Sequence, residues 1–363
     1  MELNNLIFVL LFIFFSYFFN KYLIFICKKK KFNFLVDDQF KKPQAFHRHP
    51  TLRLGGVALF FLFLIFSLYI FLSKNIFVTE YLSFCILFFL LGLMDDLKIN
   101  IKPKFRLLSM ILCLIILVIS NQFYIVKTGL DFLNHLLEID IFSLFFICLC
   151  FLFIINGSNL IDGFNGLLSI HSLIILLILF FIALNPSTYI ISNNLITENK
   201  QLIYILFYSI LTILIFLIFN FPKAQMFLGD SGAYFLGAFI SVSTIKMSIL
   251  NYPISPFFFC ILLFYLFFEV FFSFFRKLFI AGQSPLLPDS KHLHMFVYKL
   301  LLKKNKDKLK SNYQTSIIIN LFYLLLISPA VIFMNDGVFC RTYFFFLIIV
   351  YLYFYKMLYN KLR

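Results

Sequence analysis

The chain has no tryptophan, and only 13% of its 363 residues are charged, about half the share usual in soluble domains. With 62% of residues hydrophobic and a mean hydropathy of +0.98, a water-facing shell cannot be assembled, which excludes an ordinary soluble enzyme. No long polar stretch compensates. The longest, 276–312, falls short of the roughly 50 residues that a separate catalytic domain needs. Paired metal-ligand spacing is also missing: Cys27, Cys85, Cys113, Cys148, Cys150, Cys260 and Cys340 lie in or beside apolar runs and read as small hydrophobes. The first apolar run lacks a basic leader and a small-residue cleavage site, and Lys28, Lys29, Lys30 and Lys31 follow it. It therefore reads as an uncleaved anchor. No internal repeat is evident.

What the chain does have is eleven apolar runs of bilayer-crossing length, at about 3–20, 54–73, 76–94, 105–121, 139–156, 166–185, 202–221, 232–250, 253–275, 314–334 and 340–359. The expectation is an all-α, polytopic membrane protein forming one multispanning unit over residues 1–363. Charge sets its orientation. With the N-terminus outside, the outer loops hold only Lys74, Lys127, Lys200, Lys246 and Arg341 of the 31 Lys and Arg, so the positive-inside rule predicts an N-terminus outside and a C-terminus in the cytoplasm. The net charge of +15 then reflects inner loops beside anionic lipid, and no nucleic-acid partner is expected. Asp37, Asp38, Asp95, Asp96, Asp162, Asp230, Asp289 and Asp307 share that inner face, leaving Asp131, Asp140 and Asp336 outside.

Five polar groups stand on the inner face. Asp95-Asp96 ends the third run and is followed by Lys98, Lys102, Lys104 and Arg106. Adjacent carboxylates repel, and a divalent metal with a phosphorylated substrate suits such a pair; a solvated helix end is the bland alternative. Next comes Asn156-Gly-Ser-Asn159-Leu-Ile-Asp162-Gly-Phe-Asn165-Gly166, with amides and a carboxylate at near-helical spacing. Unpaired amides are costly in lipid, so they must line a polar cleft, where sugar hydroxyls, an acetamide or a uracil edge would match them. Asn220-Phe-Pro-Lys-Ala-Gln-Met-Phe227-Leu-Gly229-Asp230-Ser231-Gly232 combines a cap for the following helix with glycines that let backbone approach a phosphate. His292-Leu-His294 follows two prolines, Pro285 and Pro288, in a basic loop better suited to phosphate or sugar than to zinc. The last group, His47-Arg-His49-Pro-Thr-Leu-Arg53-Leu-Gly55-Gly56, is again basic and glycine-rich at the mouth of a span.

In this order the motifs Asp-Asp, Asn-x-x-Asn-x-x-Asp-Gly-x-Asn-Gly, Asn-Phe-Pro-x-Ala-x-x-Phe-x-Gly-Asp-Ser-Gly and His-x-His resemble the polyprenyl-phosphate N-acetylhexosamine-1-phosphate transferases, over about 47–294. The resemblance implies transfer of a sugar-1-phosphate from a UDP-N-acetylhexosamine to undecaprenyl phosphate, with UMP released, at the cytoplasmic face of a bacterial inner membrane. It implies Mg²⁺, with Mn²⁺ as a substitute, the lipid bilayer as setting, and an arrangement compatible with a homodimer. By position, Asp95, Asp96 and Asp230 resemble the catalytic residues: Asp95 deprotonates or positions the lipid phosphate, while Asp230, with Asp96, holds the metal. Phe227 falls where a ring stacks on uracil. Asn159, Asp162 and Asn165 fall where the nucleotide-sugar is held, and Lys102, Arg106, His292 and His294 where phosphates and sugar meet basic groups. Many relatives carry Asp where this chain has Asn165, and a third His where it has Met295. The branch that starts O-antigen and related polymers, using N-acetylglucosamine, is the better match, because the Pro-Leu-His-His-His run of the peptidoglycan-precursor branch is absent. The rivals are that phospho-N-acetylmuramoyl-pentapeptide transferase branch, a transporter, and an inactive scaffold. A transporter is disfavoured because ionisable groups gather at one face and not at the midplane.

Overall fold

The computed structural model describes residues 3–30, 36–37, 50–99, 101–125, 127–186, 193–280, 282–285 and 289–363. His47, Arg48 and His49 of the first basic group lie outside the described residues. The elements run α1 (Leu3–Lys30), β1 (Val36–Asp37), β2 (Thr51–Arg53), α2 (Gly55–Lys74), α3 (Thr79–Asp96), α4 (Pro103–Asn121), α5 (Asp131–Leu137), α6 (Asp140–Ile161), α7 (Leu167–Leu184) and α8 (Asn193–Asn220). They continue β3 (Met226–Phe227), α9 (Gly229–Leu250), α10 (Pro256–Leu262), α11 (Phe264–Phe275), a π-helical turn (Arg276–Ile280), α12 (Leu293–Asn305), α13 (Lys308–Ile332) and α14 (Gly337–Leu362).

Among the described residues, nine helices are long and apolar enough to cross a membrane: α1, α2, α4, α6, α7, α8, α9, α13 and α14. The protein is thus a multi-pass helical membrane protein, with two of the eleven expected spans built differently. The third is α3, an 18-residue helix with Glu80, Asp95 and Asp96 at its ends. The ninth is two short helices, α10 and α11, bent by 75°. The bend falls at Leu263, whose φ of −96° and ψ of 5° leave the helical basin and break the hydrogen-bond ladder.

Helix α9 is the centre: 78% of its apolar window is buried, against 22% for α4 and 17% for α14. Side chains such as Leu112 and Ile116 of α4 and Ile349 of α14 stand outward and exposed, as expected where the solvent is hydrocarbon. Small residues let the central backbones approach, as in membrane helix pairs generally. A Cβ added at Gly157 of α6 would lie 2.1 Å from the Leu266 carbonyl oxygen of α11, and one at Gly92 of α3 would lie 2.4 Å from the Asp230 carbonyl oxygen of α9.

The frame is helical as expected, with one small sheet added to it. β1 pairs antiparallel with β2, Asp37 opposite Thr51, and β2 pairs parallel with β3, Arg53 beside Phe227. Three short polar-ended segments at the ends of spans must pair their backbone groups somewhere, and the ladder that results fixes Arg53 and Phe227 side by side at the mouth of the bundle.

Candidate active site

Residues of α4, α6, α11 and the start of α9 line a cavity of about 990 Å³. Of the residues singled out in the sequence, Arg106, Asn159, Asp162, Asn165, Phe227, Asp230 and His292 line it. Asp95, Asp96, Lys102 and His294 are not in the lining. The polar part of the wall also includes Asp37, Arg53, Asn220, Lys277 and Asp289, while Leu107 and Met110 of α4, Leu149 and Leu152 of α6, and Phe271 and Phe274 of α11 form an apolar flank.

The N-terminal end of α9 sets the position of Asp230. Asp96 lies beneath it, 1% exposed. One oxygen accepts the Asp230 backbone N–H (3.0 Å); the other accepts the backbone N–H (2.9 Å) and hydroxyl (2.6 Å) of Ser231. A carboxylate across the first turn satisfies unpaired N–H groups and complements the helix dipole. Gly229 makes the approach possible: its φ is +79°, and a Cβ there would lie 2.7 Å from Asp96. Asp96, expected as a metal partner of Asp230, is instead committed to α9 because each oxygen already accepts hydrogen bonds in a buried setting. Asp230 turns its own carboxylate to the cavity, where Oδ1 accepts from Asn159 Nδ2 at 2.8 Å.

Around this carboxylate the charges alternate. Arg53 donates to Asp37 at 2.6 Å and lies 3.8 Å from Asp96. Arg106 donates to Asp95 at 2.6 Å, so Asp95 tethers an arginine that reaches the cavity while standing behind it. Asp162, just past the end of α6, has its carboxyl pushed well above the ordinary range by burial and then by the negative charges of Asp230 and Asp96. Burial also pushes the Asp289 carboxyl up, but its hydrogen bond from the Arg276 guanidinium and that group's charge outweigh this and hold it below the usual range. Asp162 is thus a buried acid with two further carboxylates, Asp230 and Asp96, near enough to act on it. Among the described residues, no group of three or more His, Cys, Asp or Glu is placed to hold a metal ion.

Several expected ligands serve the loops. The Asn165 backbone N–H donates to Asn312 Oδ1 (2.8 Å), and its side-chain amide donates to the Pro222 carbonyl (2.9 Å). Asn220 accepts from the Gly166 N–H and donates to the Met226 carbonyl. These amides lash loop 162–166 to 220–226, because buried irregular backbone must find partners. Lys102 is an exposed residue preceding α4. His294 is fully buried with Nδ1 paired to the Tyr265 hydroxyl at 3.0 Å, which separates it from His292 at the cavity wall.

Residues 78–248 match the model of glycosyl transferase family 4, a stretch that runs from the start of α3 almost to the end of α9 and contains Asp95, Asp96, Asn159, Asp162, Phe227 and Asp230. Over this stretch the chain is similar to glycosyl transferase family 4. One family relative is an undecaprenyl-phosphate alpha-N-acetylglucosaminyl 1-phosphate transferase of Thermotoga maritima, 29% identical over 272 residues, covering 73% of each chain. Two others are phospho-N-acetylmuramoyl-pentapeptide-transferases. That of Dictyoglomus thermophilum is 33% identical over 57% of this chain and 61% of its own. That of Campylobacter jejuni is 32% identical over 53% and 58%. The chain spans less than two thirds of both.

Among the residues around the cavity, Glu269 carried the faintest signal: a lone acid in the apolar run 253–275. An ionisable group inside such a run is expensive and needs a partner, and its partner here is His292, 3.1 Å away. Arg53 and Lys277 had only their sign to mark them, in loops full of basic residues.

Proposed function

We propose that the protein transfers N-acetylhexosamine-1-phosphate, with UDP-N-acetylglucosamine as the first donor to test, to undecaprenyl phosphate, releasing UMP. The observation that carries this reading is the two-sided cavity. One wall offers carboxylates, amides and arginines to a water-soluble anion, and the other offers Leu107, Met110, Leu152 and Phe271 to a hydrocarbon chain. Few substrate pairs need both at once. A prenyl phosphate and a nucleotide-sugar do, and the names of the family relatives agree.

In this reading an oxygen of the lipid phosphate attacks the β-phosphorus of the UDP-sugar, the bond to the bridging oxygen breaks, and UMP leaves with that oxygen. Both reactants are anions, so charge must be answered before they meet. Arg53, Arg106 and Lys277 supply positive charge from the cavity wall. Asp95 acts through Arg106, holding its guanidinium toward the phosphates. A base is not required of it, because a phosphate monoester with a second pKa near 6 arrives mostly as the dianion. Phe227 presents a ring for the base, and Asn159 fixes the rotamer of Asp230.

A divalent ion fits the donor set. Mg²⁺ takes one or two carboxylates and leaves the rest of its octahedron to water and phosphate, and Asp230 and Asp162 both line the cavity. Asp230 and Asp162 would hold it, in place of the Asp230 and Asp96 pair expected from the sequence. When bound, Mg²⁺, or Mn²⁺ in its stead, would neutralise phosphate oxygens and the leaving UMP.

In this reading the basic side of the chain faces the cytoplasm at a bacterial inner membrane, and the transfer is the first membrane step of an envelope polysaccharide; the distribution of Lys and Arg supports that orientation. The second reading, a phospho-N-acetylmuramoyl-pentapeptide transferase, is favoured by the 32–33% identity to relatives of that name. Incubating the purified protein with undecaprenyl phosphate, Mg²⁺ and a panel of UDP-sugars separates the two. Release of UMP from UDP-N-acetylglucosamine supports the first, and release only from the UDP-muramoyl-pentapeptide supports the second.

A further inference from the structure

Glu269 is 1% exposed in a predominantly apolar helix, α11, and both of its oxygens are engaged at the start of α12. Oε2 lies 3.1 Å from His292 Nδ1, and Oε1 accepts the Leu293 backbone N–H at 3.1 Å. A carboxylate only accepts, so Nδ1 of His292 must be the donor and carry a proton. That leaves Nε2 as the ring nitrogen without a hydrogen-bond partner among the described residues, on a side chain that lines the cavity. The neighbouring ring of His294 lies 5.5 Å away and almost parallel, 8° between planes, but turns its Nδ1 to Tyr265.

We propose that Glu269 is a positioning residue for the cavity. It fixes the ring orientation of His292 and holds the proton on Nδ1, so that Nε2 is the ring nitrogen presented to the bound nucleotide. The inference rests on the reading that the cavity takes a UDP-sugar. The His-x-His pair is divided in labour: His292 faces the ligand, and His294 supports the wall through Tyr265. Second carboxylates behind a working histidine recur wherever a tautomer and a ring plane have to be held. Replacing Glu269 by Gln keeps an oxygen for the Leu293 N–H but turns an NH₂ group toward Nδ1, which removes the charge and displaces the Nδ1 proton.

The test uses the full-length protein in detergent with UDP as the probe, followed by calorimetry and by thermal unfolding. Loss of a hydrogen bond to the nucleotide is expected to weaken UDP binding about tenfold in Glu269→Gln and in His292→Gln. The double variant is expected to be no weaker than either alone, since both changes remove one interaction. Additive losses, or wild-type UDP affinity in Glu269→Gln, overturn the proposal. A second measurement does not depend on whether that variant folds: nitrogen NMR of ¹⁵N-histidine-labelled wild-type protein should show a protonated Nδ1 signal that disappears in His292→Gln. An unprotonated Nδ1 on His292 overturns it equally. If the wild type binds no UDP while the Nδ1 signal is present, the nucleotide-sugar reading fails and the pairing of Glu269 with His292 stands.

Discussion

Asp96 and Ser231 are joined twice, by the Ser231 backbone N–H and by its hydroxyl, both to one carboxylate oxygen of Asp96. Two helices far apart in sequence are thereby locked at the point where Asp230 begins its work. Of the adjacent pair Asp95-Asp96, neither acid lines the cavity: one ties α3 to α9, and the other tethers Arg106.

Replacing Asp96 by Ala removes three accepted hydrogen bonds from a buried helix start, and hydrogen bonds to charged groups contribute about 1.5–3 kcal/mol each. The expected outcome is a stability loss of at least about 2 kcal/mol with activity falling alongside it. Asp230→Asn is expected to keep wild-type stability and lose activity, and thermal unfolding of the two variants side by side checks the contrast.

Close backbone crossings predict a second stability effect. Gly157→Ala puts a methyl 2.1 Å from the Leu266 carbonyl, so α6 and α11 must move apart, at a cost of about 1–3 kcal/mol for overpacking. The lowered unfolding temperature should come with lower activity, because both helices contribute side chains to the cavity lining. A wild-type melting curve for this variant would contradict the crossing.

The Asp162 carboxyl gives a pH dependence with a definite sign. Its ordinary value is 3.8, and burial with neighbouring negative charge raises it in the folded protein. A raised acid binds its proton more tightly when folded, so its effect on stability is most favourable at low pH and is lost as pH rises from the ordinary value through the raised one. Without divalent cation, Asp162→Asn should therefore unfold at a higher temperature than wild type at neutral pH, with the gap closing toward pH 4. Mg²⁺ should raise the wild-type unfolding temperature more than that of the variant.

The apolar flank predicts a separation of substrates. Phe271→Ser is expected to raise KM for the prenyl phosphate about tenfold, the effect of removing one large buried apolar contact, while KM for the UDP-sugar stays within twofold. Steady-state kinetics with each substrate varied in turn measures both.

The apolar runs and the order of the polar groups were legible because each obeys a rule of local chemistry: bilayer thickness sets the spans, and costly amides or acids must have a reason to stand at their ends. Phe227, Asp230, Asn159 and Asp162 were found this way and do share a cavity. Tertiary contact decided the rest. Nothing in Asp95-Asp96 says that one acid will meet an arginine and the other a helix start. Asn165 lines the cavity as a ligand would, but nothing local says that its backbone N–H also meets Asn312, 147 positions away. His294 reads like His292 until α12 turns it inward. The ninth span reads as one helix because a run of apolar residues records no bend.

The central claim is that Asp230 serves a phosphoryl transfer between a nucleotide-sugar and a membrane lipid. Its most direct measurement is UMP release from UDP-N-acetylglucosamine by purified protein with undecaprenyl phosphate and Mg²⁺, set beside Asp230→Asn. The account predicts acceptor-dependent UMP from the wild type and a loss of about a hundredfold or more in the variant, as for other electrostatic groups at a transfer centre. UMP formation undiminished in Asp230→Asn, or absent from the wild type with every UDP-N-acetylhexosamine, would contradict it.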